Sequence, residues 1–375
     1  MYRKEKQRKM KENRKHILIV SLITVAAAAL LAVLYIVYLN VFDSVPSGAE
    51  TQSDTEESDT YTETDYVTTD IWLDSETAVD TEPLTPEEIV QAQFDERLGE
   101  ISEWIETAMP IYKTEAETDE TGVTVKEEEV YLPYVSFYYK DLVTGYVMAY
   151  NAEDVHYTAS IIKEPYVLWA LKEIEAAAEN QEIEEGSKFD LGSIFVYTED
   201  KFKEGSGVIK SSEFGTEYTY LDLFRLAITQ SDNVAFAELR NIYGRPGFYV
   251  FSEELGVISP KKSFYSLNAR EMGAYLEETY KYFESESEYA LMLKKWMLST
   301  NHRIMIPRAL SPIPVANKYG WDADAYHDAA VVLDDSPYVL VIMTGLDHGA
   351  SKDNTFIREL AMKIHTAHND ILGEK

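Results

Sequence analysis

Residues 17 to 39 read ILIVSLITVAAAALLAVLYIVYL, with no charged side chain. A helix rises about 1.5 Å per residue, so this run extends roughly 35 Å and can cross a hydrocarbon core roughly 30 Å thick. Residues 1–16 precede it with Arg3, Lys4, Lys6, Arg8, Lys9, Lys11, Arg14 and Lys15. A cleaved leader would carry a shorter apolar core, and a core helix of a globular domain would not follow so many cations. Basic flanks stay on the cytoplasmic side. The expectation is a basic cytoplasmic segment over 1–16, a single transmembrane anchor over 17–39, and an extracytoplasmic remainder at the cell membrane.

Residues 40–85 contain no Lys or Arg and are dominated by Thr, Ser, Asp and Glu. Such a composition buries too little apolar surface to fold, and its charges repel, so it reads as a disordered tether. The whole chain has 66 acidic against 34 basic side chains, a net charge of −32. That balance repels phosphate and argues against a nucleic-acid partner. The absence of cysteine excludes disulfides, thiolate metal sites and a cysteine nucleophile. His365 and His368 can share a helix face, but no carboxylate is spaced with them as in zinc motifs. They read as exposed helix residues, and neither a metal nor any other cofactor is expected.

Order is predicted from Thr85-Pro86, a cap followed by proline at the first helical position. A folded domain should then occupy 86–375. The stretch after Pro86 has helical periodicity, and residues 114–129 read as a polar loop. YLPYVSFYYKDLVTGYVMAYN reads as two strands joined by a turn at residues 141–145. From Ser160 to about Trp296 the pattern is mostly helical. VANKYGW, DAAVVLD and YVLVIMTGL read as three strands, followed by a helix from about Asn354 to His368. The fold class is therefore α/β in the broad sense, of the segregated α+β kind. Strands from both ends of the domain form a five-stranded antiparallel sheet flanked by helices, and the middle forms an all-helical lobe. A cleft between the two is a usual place for chemistry.

Ser160 and Lys163 lie three residues apart in YTASIIKEPYVLW. The spacing alone is weak, because Ser259-Pro260-Lys261-Lys262 satisfies it in a polar loop. Lys318-Tyr319-Gly320 is likewise matched in kind by Lys203-Glu204-Gly205. Ser231-Asp232-Asn233 is rarer. Context separates signal from chance. Pro165 is tolerated only near a helix start, which puts Ser160 in or just before a first turn, where backbone N–H groups are unpaired. Ser231 follows a helical segment, and Lys318 lies on the first strand after the helical lobe.

These three motifs, in this order, resemble those of the class A serine β-lactamases and related penicillin-recognising enzymes, whose signature is S-x-x-K, S-D-N and K-T-G. The likeness extends through VSFYYKDLVTGYVMAYNAEDVHYTASIIKEPYVL, GSGVIKSS, LDLFRLAITQSDNVAFAELRNIYG and VANKYGWDADAYHDAAVV, covering roughly residues 130–370. The resemblance implies a β-lactamase/transpeptidase-like fold acting on β-lactams or D-alanyl cell-wall peptides; a monomer is expected. It implies that Ser160 is the acylated nucleophile, Lys163 its base, and Ser231 the relay to the leaving nitrogen. Asn233 would bind the substrate amide, and Lys318, Tyr319 and Gly320 its carboxylate side. The N–H groups of Ser160 and Trp321 would form the oxyanion hole. Asp232 is expected to be structural, and Tyr166 and Trp169 to be core.

Two departures bear on activity. The third motif carries Tyr319 in place of a small threonine, so the pocket must be reshaped there. The loop that carries the deacylating glutamate in class A enzymes is largely missing from LGVISPKKSFYSLNAREMGAYLEETY. Glu271 sits at capping-box spacing from Asn268, which makes it a helix cap. A serine acyl-transfer hydrolase is expected, with its route of deacylation left open. The alternative is a binding or sensor module of the same fold that does not turn over.

Overall fold

The computed structural model describes residues 84–113, 117–118, 124–126, 130–322, 324–348 and 351–373. The predicted basic segment, the anchor run and all but the last two residues of the tether lie outside these. Among the described residues no helix is long and apolar enough to cross a membrane.

The first helix among the described residues, α1 (Pro86–Ala108), starts where the sequence places it. Thr85 accepts a hydrogen bond from the Glu88 N–H, and the Glu88 carboxylate accepts one from the Thr85 N–H. The hairpin β1 (Val135–Asp141) and β2 (Val147–Tyr150) follows as expected. The segment around Ser160 is a 3-10 turn (Ala159–Ile162) running into α2 (Lys163–Glu179). The helical lobe continues with α3 (Tyr220–Thr229), α4 (Asn233–Tyr243), α5 (Pro246–Glu254), α6 (Ala269–Glu284) and α7 (Glu288–Met297). The chain returns through β3 (Val315–Asp322), β4 (Ala325–Val332) and β5 (Tyr338–Thr344), and ends in α8 (Ser351–Leu372).

One antiparallel sheet in the order β3-β4-β5-β1-β2 joins the two ends of the domain. Both strands β4 and β5 are buried along their whole length, as central strands covered on two faces must be. Alternation sorts their side chains. Tyr138, Val339 and Val341 face the helical lobe. Phe137, Tyr139, Leu340 and Ile342 pack instead with Phe94 and Ile101 of α1 and with Leu360 and Ile364 of α8.

Three expectations need correction. His365 and His368 are buried, not exposed. Their rings bond to Tyr338 and Tyr139, at 3.1 and 2.8 Å, so α8 spends them inside its core-facing stripe. The stretch 114–129 is not wholly loop, since Glu117–Thr118 and Thr124–Lys126 pair as short strands. The helical lobe also holds small strands, Ile194–Val196 with Glu217–Thr219, because polar turns interrupt the helical pattern there.

Burial within the lobe has a measurable consequence at Glu164. This side chain is wholly buried between α2 and α6, where Thr279 donates to one carboxylate oxygen and the other has no partner. Burial pushes its carboxyl up to about 8, against the opposing pull of that hydrogen bond. The folded state thus keeps the Glu164 proton to higher pH than the unfolded chain does. This contribution to stability is full at low pH and falls as pH rises from the unfolded value towards about 8. Glu164→Gln is expected to flatten the pH dependence of the melting temperature. The loss removed is on the order of 3 kcal/mol between about pH 5 and pH 8. A slope unchanged by the substitution would show that Glu164 is not the group responsible.

Candidate active site

Two backbone positions that ordinary residues avoid flank the site. Ala159, just before the candidate nucleophile, has φ +45°, and Ser231 has φ +51°. Each costs on the order of 1–3 kcal/mol and persists only where surrounding structure holds it. At Ala159 the holding is done from both sides. Thr158 N–H donates to the Tyr265 carbonyl, at 2.9 Å, and Gly320 of β3 lies flat against the turn. A Cβ on Gly320 would sit 2.8 Å from the Thr158 carbonyl oxygen and 3.0 Å from the backbone nitrogens of Ser160 and Ile161. The third motif's glycine is therefore a contact surface for the backbone around Ser160.

At Ser231 the holding is done by Asp232. One of its carboxylate oxygens caps α4 by accepting from the Val234 and Ala235 N–H groups, at 2.9 and 3.0 Å. The other accepts from Val208 and Ile209, at 2.6 and 2.9 Å. Gly207, with φ +120°, would place a Cβ 2.3 Å from this carboxylate. Asp232 is thus structural, as expected. It ties the loop over residues 203–209 down across the start of α4. Asn233 adds to the tie: its amide donates to the Glu204 carbonyl at 2.8 Å, and its N–H donates to the Ser206 carbonyl at 3.0 Å.

The lysines of the first and third motifs converge on Ser231. Lys163 Nζ donates to the Ser231 carbonyl at 2.5 Å and to Asn233 Oδ1 at 2.7 Å, and lies 3.3 Å from Ser231 Oγ. Lys318 Nζ lies 3.0 Å from the same Oγ and donates to the Tyr319 carbonyl at 2.7 Å. Both lysines are buried. Burial pushes Lys163 down to about 7; Asp232 opposes the shift and Arg240 adds to it. Lys318 is lowered by burial first and by the charge of Lys163 second. Two desolvated ammonium groups sharing one hydroxyl cannot both stay charged at neutral pH.

A cavity of about 770 Å³ opens in front of this cluster. Of the residues singled out by sequence, Ser160, Lys163, Asn233 and Trp321 line it. Ser231, Lys318, Tyr319 and Gly320 stand behind them. Tyr319 is the residue that covers Lys318. Its ring packs 4.3 Å from His302 and 4.3 Å from Lys318 Nζ. Its phenol is raised by burial against opposing hydrogen bonds from Ser206 and Ser231. The reshaping expected of tyrosine in the third motif is a ring laid over the lysine. His302 beside it is pushed down to about 4 by burial, and further by His348 and Lys318.

Glu271 is confirmed as a cap. It accepts from Asn268 N–H and also from the Ile258 and Ser259 N–H groups, at 3.1, 3.0 and 3.0 Å. The Ser259 decoy sits in a short helix whose Lys261 pairs with Glu253, and it has no part in the cavity. The other decoy does: Lys203, Glu204 and Gly205 form part of the cavity wall. Sequence reasoning also passed over Arg240, Tyr157 and Tyr265, which line the cavity too. Arg240 had a signal, since it is two helical turns after Asn233 on the same face of α4. His302 had none, because it lies in an irregular segment brought to the site by packing alone.

A sequence model of the beta-lactamase enzyme family matches residues 126–367. Solved structures align over most of their own length. A mutant PBP-A, in acyl-enzyme complex with penicillin G, is 18% identical with a TM-score of 0.56, covering 76% of this chain and 100% of that one. A beta-lactamase from Streptosporangium roseum is 18% identical with a TM-score of 0.57, covering 73% and 99%. A class A beta-lactamase from Mycobacterium abscessus is 16% identical with a TM-score of 0.55, covering 73% and 99%. No curated protein sequence matches.

Proposed function

The chain belongs to the beta-lactamase enzyme family, and we propose that it is a serine hydrolase acylated at Ser160 by β-lactams or D-alanyl cell-wall peptides. The observation that carries this reading is the hydroxyl of Ser231 held between Lys163 and Lys318, with Ser160 and Lys163 on one cavity wall. A neutral Lys163 takes the Ser160 hydroxyl proton as Oγ bonds to the substrate carbonyl carbon. The carbonyl oxygen becomes an anion facing the N–H groups of Ser160 and Trp321, on the two backbones that Gly320 brings together. As the C–N bond breaks, Ser231 gives its proton to the leaving nitrogen and recovers one from Lys163. Lys318 Nζ, 3.0 Å from Ser231 Oγ, holds that hydroxyl in place while this happens.

Among the described residues deacylation has no comparable provision. Glu271 is committed to capping its own helix start and the turn at Ile258 and Ser259, and the acyl-enzyme should be long-lived. That observation favours, as a second reading, a module that binds covalently without turnover. In either reading the apolar run at 17–39 would hold the domain outside the cell.

Intact-mass measurement of the full chain with penicillin G over time tests both. The expected result is one added penicillin, slowly lost, and no adduct on Ser160→Ala. An adduct that never declines would leave the second reading standing, and no adduct at all would sink the acyl-enzyme.

A further inference from the structure

Arg240 has no counterpart in the chemistry derived above. It lines the cavity from α4, seven residues after Asn233 and so about 10 Å further along the same helix face. Its guanidinium rests on three aromatic rings, 5.1 Å from Phe236, 5.4 Å from Phe264 and 5.6 Å from Tyr265. Arg245 lies 4.7 Å from the same Phe264 ring. Among the described residues neither guanidinium has a carboxylate partner, and the buried Arg240 Nε has no hydrogen bond at all. Glu204 and Asp322 line the same cavity, but among the described residues neither is ion-paired with Arg240 or Arg245. An unbonded buried N–H is costly, and an anionic group of a substrate bound at Arg240 would relieve it.

The usual reader of anionic substrate in such a site is withdrawn. Lys318 is wholly buried, committed to Ser231 and the Tyr319 carbonyl, and covered by the Tyr319 ring. Arg240 faces open space in the same cavity as Ser160. Lys163 and Arg240 stand 5.7 and 5.1 Å from the one Phe236 ring, so the nucleophile's base and this cation share one wall.

We propose that Arg240 binds a carboxylate carried on the acyl portion of the substrate, about two helical turns along α4 from Asn233. The inference rests on the acyl-enzyme reading and names the substrate class it selects: acyl groups ending in an acid. The guanidinium offers a planar pair of donors that matches a carboxylate, and its aromatic seat fixes its orientation.

The test compares two β-lactams with the same nucleus, whose acylamino side chains end in a carboxylate or in the matching carboxamide. Second-order rates of Ser160 acylation are measured for wild type, Arg240→Gln and Arg240→Lys, with melting curves to confirm folding. Wild type should prefer the carboxylate roughly tenfold or more. Arg240→Gln should bring that ratio close to one, and Arg240→Lys should restore part of it. A ratio near one in wild type, or one that Arg240→Gln leaves unchanged, overturns the proposal. So does an equal loss with both compounds, which would mean Arg240 acts only through its field on Lys163. No adduct with either compound would sink the acyl-enzyme reading and this inference together. Adducts without preference sink the inference alone.

Discussion

Replacing Lys163 by methionine is expected to slow acylation of Ser160 by roughly 10²–10⁴, the range for loss of a positioned general base. Methionine keeps most of the length and apolar stem of lysine and removes the amine. Three interactions go with that amine: its donations to the Ser231 carbonyl and to Asn233 Oδ1, and its approach to Ser231 Oγ. The wild-type pH profile carries the same information. Burial lowers Lys163 to about 7. Below that pH the amine holds a proton and cannot accept one from Ser160. Above it the neutral form dominates. Acylation should therefore rise as pH rises through about 7 and then level, and Lys163→Met should lose that limb. Rates of adduct formation between about pH 5.5 and pH 8.5 decide the matter. A flat wild-type profile, or a methionine variant that acylates at the wild-type rate, would remove Lys163 from the role of base.

The parts of this protein that are legible in sequence are those where local chemistry and tertiary need agree. Thr85, followed by proline, and Asn268, three residues before Glu271, each announce a helix start, and each caps one. The strand patterns are legible because β4 and β5 are buried on both faces and leave little room for polar residues. The ends of the site are legible as motifs, but their depth is not. Nothing in Lys318-Tyr319-Gly320 says that the tyrosine ring turns onto the lysine. That orientation depends on His302 and Ser206, which approach from separate segments. The loop over 203–209 is equally hidden, since its position is set by Asp232 reaching across to Val208 and Ile209. The burial of His365 and His368 escapes the sequence for a related reason. Their partners, Tyr338 and Tyr139, lie on strands and not on α8 itself, so no pattern along the helix reveals them.

Gly320→Ala is the other substitution with a large expected effect, and its sign runs against the usual one. Exchanging glycine for alanine in a strand ordinarily gains on the order of 0.5–1 kcal/mol by restricting the unfolded chain. Here the added methyl would meet the Thr158 carbonyl oxygen and the Ser160 and Ile161 backbone nitrogens at 2.8–3.0 Å. Those are backbone atoms of a turn already held at φ +45° by its surroundings, so they cannot swing aside as a side-chain tip could. Either β3 moves away from the turn or the turn rotates. Both change the spacing between the N–H groups of Ser160 and Trp321. Loss of one well-aimed donor to a developing oxyanion typically costs about 10²–10³ in rate, and a fall of that order in acylation is expected for Gly320→Ala. The melting temperature should drop as well, because relieving the overlap costs about 1–3 kcal/mol. Measured together, the two readouts separate the roles of this glycine. A variant that melts lower yet acylates at the wild-type rate would show that Gly320 serves packing alone, and the oxyanion hole would then have to be sought elsewhere on the cavity wall.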